Sequence, residues 1–396
     1  MLNYFRGKQA RIFQAVPDDF VRKKYMKLLT SSDRLVGLIG QRGVGKTTLL
    51  LQYLKNNFKV SEYLYFSADD IYIADTKFYD IADEFVRLGG KVMVIDEIHK
   101  YYNWAQEIKN IYDSFPELLI RFSGSAMLNI MYEKYDLSRR CVTAQMETLS
   151  FLEFLELDKK LELPLLPLDD IITRGSEISL DLALSHSNIY SGFKDFLKFG
   201  AYPFFMEDKD TYKNKLFNAL EKIINEDIPS CHKIDYSQLI VFKKIIAILI
   251  ESRVPYKVNM VKLSKKLGVS HPTLASYLAM LKDSKIFHPV KKYSVKVSKK
   301  PEKLLFDNTN ILQAYADEFG IEVNAGTVRE TFFASCFSDI FYSDIGDFRV
   351  KDMFFEIGGR NKTFKQIKDV ENSCLVIDTD YTTQERKIPL WLFGLM

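Results

Sequence analysis

The stretch LVGLIGQRGVGKTTLLL, from Leu35 to Leu51, decides the fold of this chain. An apolar run typical of a buried strand leads into GQRGVGKT, Gly40 to Thr47, which fully matches the pattern G-x-x-x-x-G-K-[ST]. Its glycines let the backbone curl so that successive N–H groups face an anion, and the next helix adds the positive end of its dipole. The stretch therefore predicts a strand, a phosphate-binding loop and a helix.

Polar side chains in this loop have predicted tasks. Lys46 is expected to reach the β- and γ-phosphates of a nucleotide, and Thr47 to hold Mg²⁺ through its hydroxyl group. A glycine-rich turn without a ligand is the alternative, and the flanking strand and helix argue against it. The residues predicted to bind the nucleotide are Gly40, Gln41, Arg42, Gly43, Val44, Gly45, Lys46, Thr47 and Thr48.

A second element, KVMVIDEIHK, places two acids directly after an apolar run. Acids at the carboxyl end of a buried parallel strand suit a nucleotide site, so Asp96 is predicted to bind Mg²⁺ and Glu97 to polarise the attacking water. The alternative is a purely structural acid pair. The extra strand–helix unit before it and the catalytic Glu indicate an ATPase. The sequence has no guanine-reading N-K-x-D pattern, so ATP is the predicted nucleotide.

Two further positions are candidates for catalysis. In LLIRFSGSA, Ser123 ends an apolar strand and is predicted to contact the γ-phosphate or the attacking water, ahead of Ser125; a simple turn is the alternative. In LSRRC, Arg140 is predicted to act as an arginine finger on a neighbouring subunit's phosphate, although tandem arginines are usually solvated or paired. With Lys46 and Glu97, Ser123 and Arg140 form the predicted catalytic set.

Residues 1–150 alternate apolar runs with helical patterns, which predicts an α/β fold with a parallel sheet. The predicted strands are Leu35–Ile39, Tyr63–Phe66, Val92–Ile95 and Leu118–Phe122, and the predicted helices are Lys46–Asn56, Phe78–Leu88 and Trp104–Ser114. Three further domains are predicted: helices over 151–245, a basic helix-turn-helix segment over 246–303 and a mixed α/β region over 304–396.

The composition is that of an ordinary globular protein. Apolar residues make up 47% and aromatic residues 14%, which excludes global disorder. The 55 basic and 52 acidic side chains leave a net charge of only +3. The net charge of the whole chain therefore gives no reason to expect binding to nucleic acid or to a membrane. The 4 cysteines lack the spacing of a zinc ribbon or disulfide framework. No window of about 20 residues is free of charge, so no membrane span is expected and a cytoplasmic location is predicted.

The chain resembles a prokaryotic family of AAA-type ATPases in its motifs and their order. The first half contributes GQRGVGKT, VMVIDEIHKYYNW, RFSGSAML, LSRR and TLSFLEFLEL, and the second half FGAYPFFME, INEDI, LLFDNTNIL, GTVRETFF and FFEIGGRNKTFKQI. Many ATPases share the phosphate-loop motif, whereas TLSFLEFLEL and the GGRNK region make the match specific. The resemblance implies a P-loop core that binds and hydrolyses ATP, then a helical lid, a winged helix and a domain of unknown function resembling restriction-type nucleases.

Between Pro255 and Lys303 the sequence is strongly basic, since 12 Lys against 2 acids give +10. Helical patterns around Ser270, a predicted N-cap, indicate a winged helix-turn-helix, and duplex DNA is the predicted partner. Merely solvated lysines, or a protein partner, are the alternatives. Little base readout is expected, because the second helix offers only His271, Thr273, Ser276 and Tyr277. The lysines predicted to neutralise phosphates are Lys262, Lys265, Lys266, Lys291, Lys292, Lys296, Lys299 and Lys300.

The C-terminal region resembles a nuclease without its lysine. Restriction-type nucleases carry an Asp and, about ten residues later, Glu-x-Lys, in which the acids hold Mg²⁺ and the lysine steadies the nucleophile. The run GDFRVKDMFFEIGGR supplies Asp347 and Glu356, but Gly358 stands where the lysine is needed. Glu330 could add a carboxylate, and Arg360 or Lys362 could reach in. An inactive fold kept for its contacts is favoured over a working nuclease.

Taken together, these patterns predict a Mg²⁺-dependent ATPase in which ATP binding and hydrolysis change the conformation of the chain. The change would act on DNA or on a partner protein. A slow nucleotide-gated binding switch and a metal-dependent nuclease are the alternatives. Because a finger arginine requires a neighbour, a nucleotide-dependent homo-oligomer is predicted; no membrane partner is expected.

Overall fold

The computed structural model of the chain describes residues 1–74, 76–124, 137, 139–232, 234–252, 254–293 and 300–396, with backbone alone at 230 and 231. It divides into two compact units: the first joins residues 1–148 to 226–233, and the second joins 149–225 to 234–396. The predictions for Ser125, Lys296 and Lys299 lie outside the described residues. None of the helices in the described ranges is long and apolar enough to cross a membrane.

The first unit contains a five-stranded sheet in which all neighbouring strands are parallel. Its strands are β1 (Leu35–Ile39), β2 (Tyr63–Ser67), β3 (Val92–Asp96), β4 (Leu119–Gly124) and β5 (Cys141–Gln145), in the order β2-β3-β4-β1-β5. Its first helices are α1 (Leu2–Phe13), α2 (Lys23–Leu29), α3 (Lys46–Asn57), α4 (Phe78–Arg87) and α5 (Trp104–Ser114), with 3-10 turns at Ile71–Ile73 and Ile98–Lys100.

Burial explains why these segments form a parallel sheet. β1 and β3 are buried along their whole length, as strands covered on both faces must be. Helix α4 turns Phe78, Ile81 and Phe85 towards the core that the sheet also lines. The predicted α/β fold is confirmed, and the four predicted strands and three predicted helices lie within two residues of their predicted ends. Strand β5 lies outside the predictions because this edge strand is only partly buried and lacks an apolar run.

Helices dominate the beginning of the second unit. Ser150 caps the first of them, since its hydroxyl oxygen accepts the N–H of Glu153 in a reciprocal capping box. Phe154 on this helix packs against Phe196, with 5.6 Å between ring centroids. The helices are α6 (Phe151–Lys159), α7 (Leu168–Ser185), α8 (Ile189–Phe199), α9 (Tyr212–Lys222) and α11 (Tyr236–Glu251). Between the last two, a π-helical turn, Ile223–Asp227, runs into the short helix α10 (Ile228–Cys231), which belongs to the first unit.

A mixed eight-stranded sheet forms the rest of the second unit. Its strands are β6 (Tyr256–Lys257), β7 (Phe287–Lys292), β8 (Pro301–Phe306), β9 (Phe341–Tyr342), β10 (Phe348–Val350), β11 (Met353–Gly359), β12 (Ser373–Asp378) and β13 (Lys387–Pro389). They follow the order β13-β12-β11-β10-β9-β7-β8-β6. The accompanying helices are α12 (Met260–Leu267), α13 (His271–Asp283), α14 (Thr309–Glu318) and α15 (Ala325–Ser335), with 3-10 segments Pro203–Met206, Phe364–Gln366 and Leu390–Leu395.

The predicted border between residues 303 and 304 falls inside β8. Strand β7 pairs antiparallel with β8 and parallel with β9, so strands from both sides of that border share one sheet. The four-domain division remains a prediction.

The second helix of the basic segment corrects one prediction. Ser270 caps α13 as expected, because its hydroxyl oxygen accepts the N–H of Thr273. Tyr277, however, is 5% exposed and packs against Phe242, with 4.9 Å between ring centroids. The prediction that Tyr277 faces DNA bases is wrong, because residue 277 lies three and four positions from Leu274 and Leu281 and shares their buried face.

Candidate nucleotide site

The loop between β1 and α3 has a conformation that only glycine accommodates well. Gly43 and Gly45 have φ values of 82° and 94°, in the left-handed region. At Gly40 the backbone approaches so closely that an added Cβ atom would lie 2.4 Å from the carbonyl oxygen of Met146. The glycine positions of the motif are therefore required by the fold of the loop, which precedes the N-terminus of the twelve-residue helix α3.

Lys46 is the first residue of α3, and its side chain contacts the backbone of this loop. Only 5% of the residue is exposed, and its Nζ atom donates hydrogen bonds to the carbonyl oxygens of Gly40 (3.0 Å) and Gln41 (2.7 Å). Burial lowers the pKa of Lys46, and the negative charges of Glu97 and Asp96 only partly oppose that shift. A phosphate group would supply the missing counter-charge.

Asp96 ends β3 and gathers three hydroxyl donors. Thr47 Oγ1 donates to Asp96 Oδ2 at 2.6 Å, Tyr65 Oη donates to the same oxygen at 3.0 Å, and Ser123 Oγ donates to Oδ1. Burial, followed by the charge of Asp96, raises the pKa of Tyr65, which keeps its hydroxyl protonated. A hydroxyl and a carboxylate side by side are the hard oxygen ligands that Mg²⁺ prefers. Thr47 and Asp96 therefore fit the predicted metal site.

Glu97 follows in a left-handed conformation, with φ of 50°. Its N–H donates to Ser123 Oγ at 3.1 Å and to Asp96 Oδ1 at 3.2 Å, so Ser123 links the carboxylate of Asp96 to the backbone of Glu97. The carboxylate atom Glu97 Oε2 lies 3.6 Å from Nε2 of His99. Burial lowers the pKa of His99 to about 4, so the ring is neutral at pH 7 and does not neutralise Glu97.

The structure does not bring Arg140 to this loop within one chain. Arg140 directly precedes β5, whose first residue, Cys141, pairs with Leu35 at the start of β1, whereas the loop follows the end of β1. Arg140 and the phosphate loop thus lie at opposite ends of the neighbouring parallel strands β5 and β1. On the surface, its Nε and Nη2 atoms pair with the two oxygens of Asp113 at 3.0 and 3.1 Å. A role towards a neighbouring subunit stays a prediction.

Two polar neighbours of the site are absent from the predicted set. Tyr65 lies inside the apolar run YLYFS, where an aromatic residue is expected to serve the core. Asp227 pairs with Arg42 from 185 residues away: Arg42 Nε donates to Oδ2 at 3.0 Å and Nη2 to Oδ1 at 2.8 Å. The acids of INEDI were the available signal, but nothing in their spacing connects them to the loop.

Comparisons with known proteins agree with this geometry. Residues 32–155 match a family model described as an AAA domain, and residues 190–319 match a domain of unknown function, DUF8612. No curated protein matches the chain.

Three solved structures are similar at low identity. The Walker-type ATPase PABY2304 of Pyrococcus abyssi has 14% identity and a TM-score of 0.42, over 76% of this chain and 99% of that one. The Hsp104–ADP complex of S. cerevisiae has 16% identity and a TM-score of 0.35, over 72% and 42%. AMPPCP-bound DnaA from Aquifex aeolicus has 15% identity and a TM-score of 0.25, over 66% and 86%.

The family match over residues 32–155 and the parallel sheet with its phosphate loop together support an AAA-type ATPase domain in this part of the chain. The predicted AAA-type core is thereby confirmed.

Proposed function

We propose that this chain is a Mg²⁺-dependent ATPase that couples ATP binding and hydrolysis to a change acting on DNA or a partner protein. The observation that carries the proposal is the convergence of three elements on Asp96. Thr47 from the loop, Tyr65 from β2 and Ser123 from β4 all donate to this one carboxylate. Lys46, a buried cation that lacks a full counter-charge, lies beside them.

The roles follow from position. Lys46 would bind the β- and γ-phosphates, and Thr47 and Asp96 would hold Mg²⁺, which supplies further positive charge against the phosphates when bound. Glu97 would accept the proton of the attacking water, since its neighbour His99 stays neutral. Ser123, fixed between Asp96 and the N–H of Glu97, would sense the γ-phosphate.

Two substitutions test this proposal. Lys46→Ala should remove most affinity for a fluorescent ATP analogue, with Lys55→Ala, at the exposed end of the same helix, as the matched control. Glu97→Gln should keep ATP binding but lower turnover by about a hundredfold, with exposed Glu84→Gln as its control. Unchanged affinity in folded Lys46→Ala protein would disprove the phosphate-loop assignment, and near-normal turnover in Glu97→Gln protein would move the base elsewhere.

The ion pair between Arg140 and Asp113 favours slow turnover by the isolated chain. Before Arg140 could act as a finger on a neighbouring subunit's phosphate, it would have to break this ion pair. Turnover with and without DNA separates a motor from a slow switch. Mass in solution with and without ATP tests the nucleotide-dependent homo-oligomer, since assembly is what would bring Arg140 to a neighbouring loop.

We further propose a winged helix over the basic segment, with duplex DNA as its partner. Support comes from helices α12 and α13 followed by the antiparallel strands β7 and β8, with β6 paired to β8. Lys262, Lys265 and Lys266 are exposed on α12. Lys292 instead pairs with Asp344, at 2.5 Å, which makes it a weaker phosphate contact.

Salt dependence tests this partner. For about five phosphates neutralised, the logarithm of the affinity should fall against the logarithm of salt concentration with a slope near −4.5. Replacing Lys262, Lys265 and Lys266 with Gln should flatten that slope by roughly 2 to 3 and leave ATP binding unchanged. Absence of duplex binding near 100 mM salt (on the order of physiological ionic strength) would redirect the segment to a protein partner.

The C-terminal region we infer to be a degenerate nuclease-like domain. The ammonium group of Lys303 contacts both Glu330 and Asp347, and so occupies the position between carboxylates where a catalytic cation would be needed. The side chain of Lys362 covers Gly358, where an added Cβ would lie 2.5 Å from its Cγ atom, and its ammonium pairs with Glu356.

That pairing is the one observation in favour of a working nuclease, because Lys362 would replace the missing lysine. A plasmid-nicking assay with Mg²⁺ or Mn²⁺ decides between the two: intact plasmid supports the degenerate domain. Nicking by the wild-type chain that disappears in Lys362→Met protein would establish the nuclease instead.

A further inference from the structure

Residues 226–233 pack with the ATPase unit, although residues 225 and 234 on either side belong to the second unit. The chain enters this segment through the π-helical turn Ile223–Asp227, which ends at Asp227. Asp227 is 6% exposed. A buried carboxylate is costly unless it is paired, even in a segment as short as this one. Asp227 pairs with Arg42 of the phosphate loop.

The geometry of this pair leaves half of the guanidinium group for another acceptor. The two bonds to Asp227 use Nε and Nη2 of Arg42, which form the side edge of the planar group. The end edge, formed by Nη1 and the second hydrogen of Nη2, points away from that carboxylate. Glu226 lies 3.8 Å from Nη2 but is half-exposed, so it can yield to a stronger acceptor.

The charge of Arg42 also acts on the groups that would face the γ-phosphate. Burial is the largest cause of the lowered pKa of Lys46, and the positive charge of Arg42 adds to it. The hydrogen bond to Asp227 is the largest cause of the raised pKa of Arg42, and the charge of Glu97 adds to it. Arg42 therefore lies within electrostatic range of both the phosphate-binding lysine and the proposed base.

We propose that Asp227 is a positioning residue that aims the end edge of Arg42 at the γ-phosphate. This inference rests on the proposed nucleotide function and adds to it a source of discrimination between ATP and ADP. ADP lacks the group that Arg42 would contact, so the pair would contribute to ATP affinity alone. Through the same bonds, the segment 226–233 is held by the loop that binds the nucleotide.

The test compares ATP and ADP affinities in four proteins: wild type, Asp227→Asn, Arg42→Gln and the double variant. Asp227→Asn should weaken ATP binding about tenfold and leave ADP binding unchanged, within the usual range of coupling between groups. Arg42→Gln should do the same, and the double variant should add nothing, because both changes remove one interaction. Asp18→Asn, which removes an equal charge from an exposed ion pair with Lys55, is the matched control.

Each other outcome is informative. If ATP and ADP affinities fall together, or the ratio stays at the wild-type value, Asp227 has only a structural role and the inference is overturned. If Asp227→Asn protein does not fold, Arg42→Lys decides alone: it keeps the charge but cannot form both bonds, and an unchanged ratio then overturns the inference. Wild-type protein that binds neither nucleotide would instead overturn the proposed nucleotide function.

Discussion

Two buried lysines, one in each unit, show that burial of the same side chain can have opposite electrostatic outcomes. Lys46 is 5% exposed and Lys303 is 3% exposed. Lys46 rests on backbone carbonyl oxygens, and burial lowers its pKa. Around Lys303 burial acts in the same direction, but the charges of Glu330 and Asp347 outweigh it and raise the pKa. The charge of Lys46 is therefore only partly balanced, whereas Lys303 already contacts its counter-ions.

Neighbouring groups complete the second site. Asp347 also accepts the N–H of Ile357 at 2.9 Å, and Glu356 pairs with Lys362. Three carboxylates and two ammonium groups share this space, so the cluster retains one excess negative charge and favours an additional proton. Burial, followed by the charge of Asp347, accordingly raises the pKa of Glu330 to about 7. A cluster of this kind, called saturated here because each of its ammonium groups already contacts a carboxylate, contributes to stability. The loop around Lys46, where the lysine contacts only carbonyl oxygens, is unsaturated in this sense and suited to binding an anion.

The largest expected effect is on stability at the saturated cluster. Lys303→Met should lower the free energy of unfolding by about 3–5 kcal/mol, because it leaves buried carboxylates without their cation. Chemical denaturation monitored by tryptophan fluorescence measures this, with exposed Lys368→Met as the control. A loss below about 1 kcal/mol, the level of a surface pair, would mean that the two lysines are not different in kind.

An intermediate effect is expected from pH. Glu330 has an ordinary pKa of 4.5 and a folded-state pKa of about 7, so between these values the folded chain holds a proton that the unfolded chain has released. Stability conferred by this proton is complete below pH 4.5 and is lost as pH rises through 7. The free energy of unfolding should therefore fall by roughly 2–3 kcal/mol across that window. Glu330→Gln should flatten the profile, while exposed Glu322→Gln should leave it unchanged.

The smallest effect is expected at the open site, and its sign is the point of interest. Lys46→Met removes a buried charge that lacks a full counter-ion, so the free energy of unfolding without nucleotide should stay within about 1 kcal/mol of wild type or rise. Excess ATP should raise the melting temperature of the wild-type chain and leave that of the variant unchanged. A destabilisation similar to that of Lys303→Met would show that Lys46 is already fully paired without phosphate.

Most strands and the phosphate loop of the first unit could be predicted from the sequence, because the patterns that encode them are local. The runs that form β1 to β4 and the loop from Gly40 to Thr47 lie within continuous stretches, and their burial follows from the order of apolar residues. Register then places Ser67 opposite Asp96, and β4 beside β3, which explains why Ser123 meets the acids. Tertiary partners are another matter. Asp227 and Lys303 act through pairs 185 and 27 residues apart, and hydrophobic periodicity carries no information about such pairs.

The position of β7 between β8 and β9 has a consequence for the cooperative unfolding of the second unit. Two residue pairs, Lys291 with Phe341 and Lys292 with Tyr342, join it to β9, and its other edge pairs with β8. A chain ending at residue 303 would sever β8 and leave an unpaired edge that invites aggregation. In the full chain, the backbone amides of β7, β8, β11 and β12 should exchange their hydrogens with solvent in one cooperative opening, because these strands belong to one sheet. Exchanging residues 246–303 alone would replace β7 and only the first half of β8, and so disturb the pairing that joins β7 to β8 and to β9.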